Sequence, residues 1–308
     1  MPHRLFITGA TGFVGTAVVA EALSRGFEVH ALVRRGAGPI AGDVRTFTGD
    51  LFDSAAVDAA MAGCEAVVHL VGIIAERPKR GVTFERIHVQ GTQAIVEAAR
   101  RAGIKRYVQM SANGTRPEAV SAYHQTKWRA EQHVRDSALD WTIFRPSLIH
   151  GSQGEFMRNE AKWAKGAAAP WLFMPYFGAG LLGTGGAGWL QPIFVDDVAR
   201  AFVDAIDNPK SIHQTYALGG DEAVSWPQMH AIASRAIAGR PRPSLAIPAW
   251  YATLLTRVVP AALLPFNRAQ VQMSQEDNTT DLAGFERDFG WRPRPFSSTL
   301  ATYAEVLR

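Results

Sequence analysis

The fold is decided by the stretch Arg4-Leu5-Phe6-Ile7-Thr8-Gly9-Ala10-Thr11-Gly12-Phe13-Val14-Gly15. Its apolar start predicts a short buried strand, its glycines a tight turn, and the residues from Thr16 to Ser24 a helix that opens out of the turn. Glycines in this pattern let the backbone approach a pyrophosphate, while the free N–H groups of the helix N-terminus face the anion. The alternative is an ordinary strand-to-helix connection.

Composition indicates a globular protein with a small-molecule partner. Of 308 residues, 47% are hydrophobic and 19% charged, which suits a full core. The 32 Lys and Arg residues are spread along the chain, and the formal net charge is only +4, so nucleic acid is not indicated. Cys64 is the only cysteine, which excludes an intrachain disulfide and favours a reducing compartment. The first strand follows no basic-then-apolar leader, so we expect a cytoplasmic protein.

Strand-like and helical runs alternate through the first half of the chain. After the first strand, the expected strands are Glu28 to Val33, Ala66 to Val71, Tyr107 to Met110 and Trp141 to Phe144. The expected helices are Ser54 to Ala62, Phe84 to Ala102 and Tyr123 to Ser137. This alternation predicts an α/β protein with a Rossmann-type, doubly wound parallel sheet.

The second half is more apolar. Residues 166–195 carry no charge and exceed the roughly 20 residues that span a bilayer, but their glycines and prolines favour a hydrophobic loop or lid. Gln191 to Ile206 is expected to return to the sheet, with Asp196 or Asp197 as a helix N-cap. Leu245 to Phe266, interrupted by Pro248, Pro260 and Pro265, predicts a helix pair in a core, with a membrane-surface element as the alternative.

These patterns predict two parts of the chain. Residues 1–150 form a dinucleotide-binding domain to which residues 191–220 return. Residues 151–190 and 221–308 form a smaller, mainly helical substrate or docking lobe.

The end of the second strand predicts the form of the nucleotide. A site selective for NAD usually ends this strand with Asp or Glu, which holds the ribose hydroxyls. Here the strand is followed by Arg34 and Arg35. Guanidinium groups can pair with a 2′-phosphate, so we expect NADP(H), with Arg34 the better candidate because it directly follows the strand.

Tyr123 and Lys127 are four residues apart on a predicted helix and therefore share a face. A nearby ammonium, helped by a cationic nicotinamide, favours a phenolate, so this spacing predicts a tyrosine whose pKa is moved towards working pH as a general acid or base. In isolation such a pair is more typical of a solvated helix face. The glycine-rich turn upstream reverses that preference.

With both motifs present, the sequence resembles the extended and atypical branches of the short-chain dehydrogenase/reductase superfamily. The other matching motifs are Gly49-Asp50-Leu51, Val68-His69-Leu70-Val71-Gly72, Val89-Gln90-Gly91-Thr92, Ser111, Phe144-Arg145-Pro146-Ser147 and Val195-Asp196-Asp197-Val198-Ala199. Gln191 to Asp197 and Gln275-Glu276-Asp277-Asn278 are similar to bacterial relatives of the nucleotide-binding accessory subunit of respiratory complex I.

The resemblance implies where a dinucleotide binds. It places Asp50 and Leu51 at the adenine, Val71 and Gly72 beside the ribose and phosphates, and Pro146, Ser147 and Leu148 near the nicotinamide. From the residues alone, Asp50 could equally cap the helix that begins near Ser54. The expected cofactor-binding set also includes Gly9, Thr11, Gly12, Phe13, Val14, Gly15, Arg34, Arg35 and Lys127.

Two positions depart from the superfamily pattern. Ser111 is available as the catalytic hydroxyl, but Asn113 stands where many extended members place it, and an amide can also donate to a carbonyl oxygen. His88 stands where the extended branch often has asparagine, and we interpret it as one more polar helix residue.

The expected function is hydride transfer between NADP(H) and a hydrophobic carbonyl or quinone-like substrate. Tyr123 would exchange the proton, Lys127 would hold the ribose, and Ser111 or Asn113 would polarise the oxygen. The alternatives are a non-catalytic NADP(H)-binding accessory subunit of a membrane complex, and a nucleotide-sensing regulator. No metal is expected because no His, Cys, Asp or Glu cluster has ligand spacing, and Gly-x-Ser-x-Gly is absent.

The apolar lobe predicts a lipid-like or quinone-like partner, with membrane-surface contact as a variant. The residues that carry this prediction lie in a loop-like region and a short helix. They are Phe173, Met174, Tyr176, Phe177, Trp250, Tyr251, Leu254 and Leu255.

Overall fold

A parallel sheet of seven strands dominates the first part of the chain. The computed structural model describes residues 3–184, 188–259, 264 and 266–308. Its strands are β1 (Arg4–Thr8), β2 (Glu28–Val33), β3 (Val44–Thr48), β4 (Ala66–His69), β5 (Arg106–Met110), β6 (Asp140–Pro146), β7 (Ile149–His150), β8 (Met174–Gly178), β9 (Ile193–Phe194), β10 (Gln214–Leu218) and β11 (Ser244–Pro248). The large sheet has the order β10-β6-β5-β4-β1-β2-β3, so the Rossmann-type prediction is confirmed.

The helices cover both halves of the chain. They are α1 (Phe13–Ser24), α2 (Ser54–Met61), α3 (Gly91–Arg101), α4 (Ala122–Arg135), α5 (Glu155–Lys165), α6 (Val195–Asp207), α7 (Trp226–Ala238), α8 (Ala249–Val258), α9 (Arg268–Met273), α10 (Ala283–Phe289) and α11 (Phe296–Tyr303). A π-helix, Glu85–Gln90, precedes α3 and interrupts the single helix expected from Phe84 to Ala102.

Parallel pairing fixes the register of the sheet. Phe6 of β1 lies beside His30 of β2 on one side and Val67 of β4 on the other. Leu5, Phe6 and Ile7 are all fully buried, as expected for a central strand covered on both faces. Two strands of this large sheet escaped the sequence analysis, since β3 is an exposed edge strand and β10 mixes polar and apolar residues without a clear period.

The chain divides into two compact units. The first comprises residues 1–146, 195–218 and 282–291, and the second comprises residues 147–194, 219–281 and 292–308. Four segments therefore differ from the expected boundaries, since residues 147–150 and 219–220 also lie in the second unit. Residues 191–194 belong to the second unit, where β9 pairs with β7. Residues 282–291 belong to the first unit because Phe285 stacks on Phe289 and meets Tyr216 of β10 edge to face.

The start of α6 also corrects an expectation. The helix begins at Val195, so Asp196 and Asp197 lie in its first turn instead of capping it. Asp197 is buried. Acidic side chains are favourable in a first turn because they oppose the positive end of the helix dipole.

The second unit combines helices with two small parallel sheets, β8 with β11 and β7 with β9. Strand β8 lies within residues 166–195, where a loop or lid was expected, so that expectation is wrong for Met174–Gly178. The predicted helix pair over Leu245 to Phe266 is β11 followed by α8, and its Pro260 and Pro265 lie outside the described residues. Of the helices in the described ranges, none has the length and apolar character needed to cross a membrane.

Candidate active site

The glycine-rich turn after β1 leaves no room for side chains. Gly9 has a φ of +77°, and its carbonyl accepts a hydrogen bond from the Gly12 amide at 2.9 Å. A Cβ at Gly15 would lie 2.0 Å from the Gly9 carbonyl oxygen. Such a contact is not tolerated without moving the backbone, so the turn and the start of α1 depend on glycine.

Helix α1 offers its N-terminus to an anion. Its N-cap is Gly12, whose position carries no side-chain hydrogen bond, and its first turn has no acidic residue. Thr11 is exposed and Phe13 half-buried, whereas Val14 points into the core. The amides of this first turn are therefore the groups that would hold a pyrophosphate, and the cradle fits one because a Cβ would fill it.

The turn lies at the switch point of the sheet, between β1 and β4. A Cβ at Gly9 would meet the backbone of Leu70 and Val71 at 3.3 Å, so the segments that follow the two strands touch. Gly72 continues this segment, and a Cβ there would lie 3.0 Å from the Lys127 Nζ. The structure thus brings Val71, Gly72 and Lys127 to the crevice where nucleotides bind in open parallel sheets.

Lys127 is buried, and its Nζ donates to the Met110 carbonyl at 3.2 Å. Burial lowers the pKa of Lys127 to about 8, with the carboxylate of Glu131 opposing that change. This lysine therefore changes charge near neutral pH.

Tyr123 lies on the same face of α4, one turn before Lys127. Its ring meets Phe84, His88 and His124 edge to face at centroid distances of 5.8, 5.3 and 5.2 Å. Burial among these rings raises the pKa of Tyr123 to about 12. The expectation that the pKa is moved towards working pH is thus wrong for the protein alone, because burial disfavours the charged phenolate.

Ser111 is engaged by a buried carboxylate. Its hydroxyl donates to Glu131 Oε1 at 2.6 Å, and Arg145 donates to both oxygens of Glu131, at 2.8 and 2.6 Å. The backbone N–H of Asn113 donates to the Pro146 carbonyl at 2.9 Å, which brings Asn113 beside the end of β6. Both candidate polarising residues therefore lie at the carboxyl ends of β5 and β6.

His88 is not the solvated helix residue that the sequence analysis expected. It is buried, its Nδ1 lies 2.9 Å from Thr126 Oγ1, and its Nε2 accepts from the Ile73 amide at 3.1 Å. Nε2 also lies 3.1 Å from the Ile73 carbonyl oxygen, so both main-chain groups of Ile73 face the ring. Burial lowers the pKa of His88 to about 2, so the neutral ring links the π-helix to α4.

The adenine end of the expected site is more open. Arg34 and Arg35 are exposed after β2, and within the described part of the chain neither guanidinium has a partner. The Gly49 amide donates to the Val33 carbonyl, which brings the segment before Asp50 against the end of β2. Asp50 accepts from the Phe52 amide, while Asp53 caps α2, so the alternative of Asp50 as the helix cap is wrong. Leu51 is buried in the core.

The three residues expected near the nicotinamide are divided between the units. Pro146 ends β6 in the first unit. Ser147 and Leu148 belong to the second unit, where the Ser147 hydroxyl donates to the Asn278 carbonyl and the Leu148 carbonyl accepts from the Ile193 amide. Their proposed role stays a prediction.

Glu131 and Arg145 were missed as functional candidates. Glu131 is eight residues after Tyr123 and four after Lys127, so the same helical spacing could have identified it. Its pairing with Arg145 depends on the sheet and has no local signal. Over the described ranges, no group of three or more His, Cys, Asp or Glu side chains is arranged to hold a metal ion.

Comparison with known proteins agrees with this geometry. Residues 9–161 match a family model described as NAD(P)H-binding. The chain is 36% identical to a "Ceramide reductase" of Caulobacter vibrioides over 148 residues, which cover 47% of this chain and 46% of that protein. It is 29% identical to "NADH dehydrogenase [ubiquinone] 1 alpha subcomplex subunit 9, mitochondrial" of Arabidopsis thaliana over 238 residues, which cover 73% of this chain and 56% of the relative.

These matches span about half the length of the two relatives. A solved structure of a short-chain dehydrogenase/reductase superfamily protein from Agrobacterium tumefaciens, with bound NAD, superimposes with a TM-score of 0.73 at 21% identity. The alignment covers 99% of this chain and 97% of that one. The glycine-rich turn and the parallel sheet agree with these matches, while the role of the Tyr123 and Lys127 pair stays a prediction. Residues 9–161 thus match an NAD(P)H-binding family, and the chain has the fold of a short-chain dehydrogenase/reductase superfamily protein.

Proposed function

We propose that the protein is an NADP(H)-dependent oxidoreductase that reduces a hydrophobic carbonyl or quinone-like substrate. One observation carries the proposal. The glycine-rich turn lies against the segment that ends at Gly72, Gly72 lies against Lys127, and Lys127 donates to the carbonyl of Met110 at the carboxyl end of β5. It puts a nucleotide cradle and a tyrosine–lysine pair at one edge of a sheet.

When bound, the reduced nicotinamide supplies a hydride to the carbonyl carbon. Tyr123 gives its phenolic proton to the carbonyl oxygen as the C=O π electron pair moves onto that oxygen. Lys127, four residues further on the helix, holds the ribose through its ammonium and stabilises the phenolate that remains. Asn113 polarises the oxygen, because the proton of Ser111 is directed to Glu131.

Three features support a hydrophobic substrate. The similar Caulobacter vibrioides protein is named a ceramide reductase, and a ceramide is a lipid. Residues 166–195 offer no charged group and a single amide, Gln191, which gives little for a sugar to bind. Phe173, Tyr176 and Phe177 are half-buried in the second unit, whereas Met174 is fully buried and serves the core.

The second candidate function is a non-catalytic NADP(H)-binding subunit. The raised pKa of Tyr123 and the engaged hydroxyl of Ser111 favour it, as does the similarity to a complex I subunit. In that case the nucleotide stabilises the fold, and the protein binds a larger assembly.

A binding and turnover experiment distinguishes the two. The nucleotide that copurifies with the protein is identified, and oxidation of NADPH is then measured with long-chain ketones, aldehydes and short-chain quinones. The oxidoreductase proposal expects turnover with at least one acceptor. Tight NADPH binding without turnover on any acceptor would favour the accessory subunit, and no nucleotide binding would contradict both.

A further inference from the structure

Helix α8 in the second unit exposes its large apolar residues, whereas an ordinary surface helix buries them. Its only buried residue is Ala252, and its exposed face carries Trp250, Tyr251, Leu254 and Val258. Val258 is 69% exposed and Trp250 is 52% exposed. Residues 250, 254 and 258 are one turn apart, so they form a single apolar stripe on the outside of the helix.

The apolar surface continues into the segment that follows β8. Leu181 and Leu182 are 78% and 74% exposed, and the Trp250 Nε1 donates to the Leu181 carbonyl at 3.0 Å. That bond fixes the tryptophan beside the two leucines. We call Leu181, Leu182 and the exposed α8 residues, including Arg257, the α8 face.

The two sequence segments that contain this face carry charges of one sign. Residues 161–195 and 223–275 contain no Asp or Glu, and their charged residues are Lys162, Lys165, Arg235, Arg240, Arg242, Arg257 and Arg268. Arg257 is exposed on α8, and no carboxylate in the described ranges pairs with it. An apolar face whose charged residue is an arginine is complementary to a layer of anionic head groups above acyl chains.

We propose that the α8 face docks on the surface of a membrane that contains anionic lipid. The leucines, Val258 and the ring of Trp250 enter the boundary between head groups and acyl chains, and Arg257 pairs with lipid phosphate. Trp250 and Tyr251 suit this depth because each combines an apolar ring with a polar atom. The inference is independent of whether the protein is an enzyme.

Vesicle flotation of the full chain tests the proposal. Phosphatidylcholine vesicles with and without phosphatidylglycerol are compared, and thermal unfolding verifies the folding of each variant. We expect the protein to float only with the anionic vesicles. The double variant Trp250→Ser with Leu254→Ser should bind them about 10-fold more weakly or worse. Arg257→Gln should bind them about 5-fold more weakly.

The matched control is Val306→Ser, since Val306 is a 77% exposed apolar residue of the same unit outside the α8 face. It should float like the wild-type protein. Failure of the wild-type protein to float, or equal flotation of the wild type and the double variant, would overturn the proposal. So would a wild-type dimer that the double variant abolishes without any vesicle binding, because a second copy would then occupy the face.

Discussion

At the scale of single residues, the site is a row of three side chains on one face of α4. Tyr123, Lys127 and Glu131 follow one another at intervals of one helical turn, and the last two are buried. The phenol, the ammonium and the carboxylate thus follow one another along one face of the helix. Glu131 is also held by Arg145, so the innermost charge is neutralised and fixed.

The charge of Lys127 should control cofactor binding. Its pKa of about 8 means that the ammonium is lost as the pH rises through that value, so NADPH affinity should fall by about 10-fold between pH 7 and pH 9. The Glu131 carboxylate raises this pKa, so Glu131→Gln should move the fall in affinity to lower pH. Fluorescence titration of NADPH across this pH range measures the effect.

Lys127→Met is the matched variant, since it keeps the length of the side chain without a titrating group. It should bind NADPH weakly at every pH. A pH dependence that survives in Lys127→Met would show that another group is responsible.

Arg34 should set the preference between the two nicotinamide cofactors. It is exposed and unpaired among the described residues, and its planar guanidinium can bind a 2′-phosphate. Arg34→Ala should lower NADPH affinity by about 10- to 100-fold and leave NADH affinity nearly unchanged, as expected for a lost hydrogen bond to a charged group. Arg45→Ala, at an exposed arginine of β3, is the control. An unchanged ratio of the two affinities in Arg34→Ala would rule out this role.

At the scale of elements, the turn between β1 and α1 is the most constrained part of the site. Gly15→Ala would place a Cβ 2.0 Å from the Gly9 carbonyl, so the turn must move. We expect loss of measurable NADPH binding and a lower melting temperature. Isothermal titration and thermal unfolding measure the two effects.

Gly38→Ala provides the control, because a Cβ there meets nothing within 4 Å. It should bind NADPH like the wild-type protein. If Gly15→Ala binds with wild-type affinity, the close-approach account of the turn is wrong.

The elements with strong local signals were predictable from the sequence. Strands β1, β2 and β4 to β6 carry apolar runs, and α4 carries both the tyrosine and the lysine at helical spacing. The π-helix was not predictable, since it depends on His88 bonding to Thr126 and Ile73 in other elements. Strand β8 was not predicted because it pairs with β11, about 70 residues further along the chain. A local sequence pattern does not show such pairing.

At the scale of the whole molecule, buried neutral histidines link stability to pH. Burial lowers the pKa of His69 to about 3, of His88 to about 2 and of His150 to about 3. In the unfolded chain each titrates near its ordinary value of about 6.5. The unfolded state therefore binds more protons below that value, so stability is fully present above pH 6.5 and is lost as the pH falls.

At pH 5, the low pKa of each of these histidines should lower the free energy of unfolding by about 2 kcal/mol relative to its value above pH 6.5. Urea unfolding at a series of pH values measures this dependence. The slope of the unfolding free energy against pH gives the number of protons taken up on unfolding. In His88→Asn this number should be about one smaller below pH 6. An unchanged slope in this variant would show that His88 is accessible to protons in the folded protein.

The central claim is hydride transfer assisted by Tyr123, and one measurement tests it most directly. NADPH deuterated at the transferring carbon of the nicotinamide is incubated with the protein and a hydrophobic ketone, and deuterium in the alcohol product is measured by mass spectrometry. The account predicts deuterium on the carbinol carbon of the product. Tyr123→Phe should bind NADPH normally but form this product about 100-fold more slowly. Tyr107→Phe should form it at the wild-type rate. Undiminished transfer in Tyr123→Phe, or NADPH bound with no deuterium transferred, would contradict it.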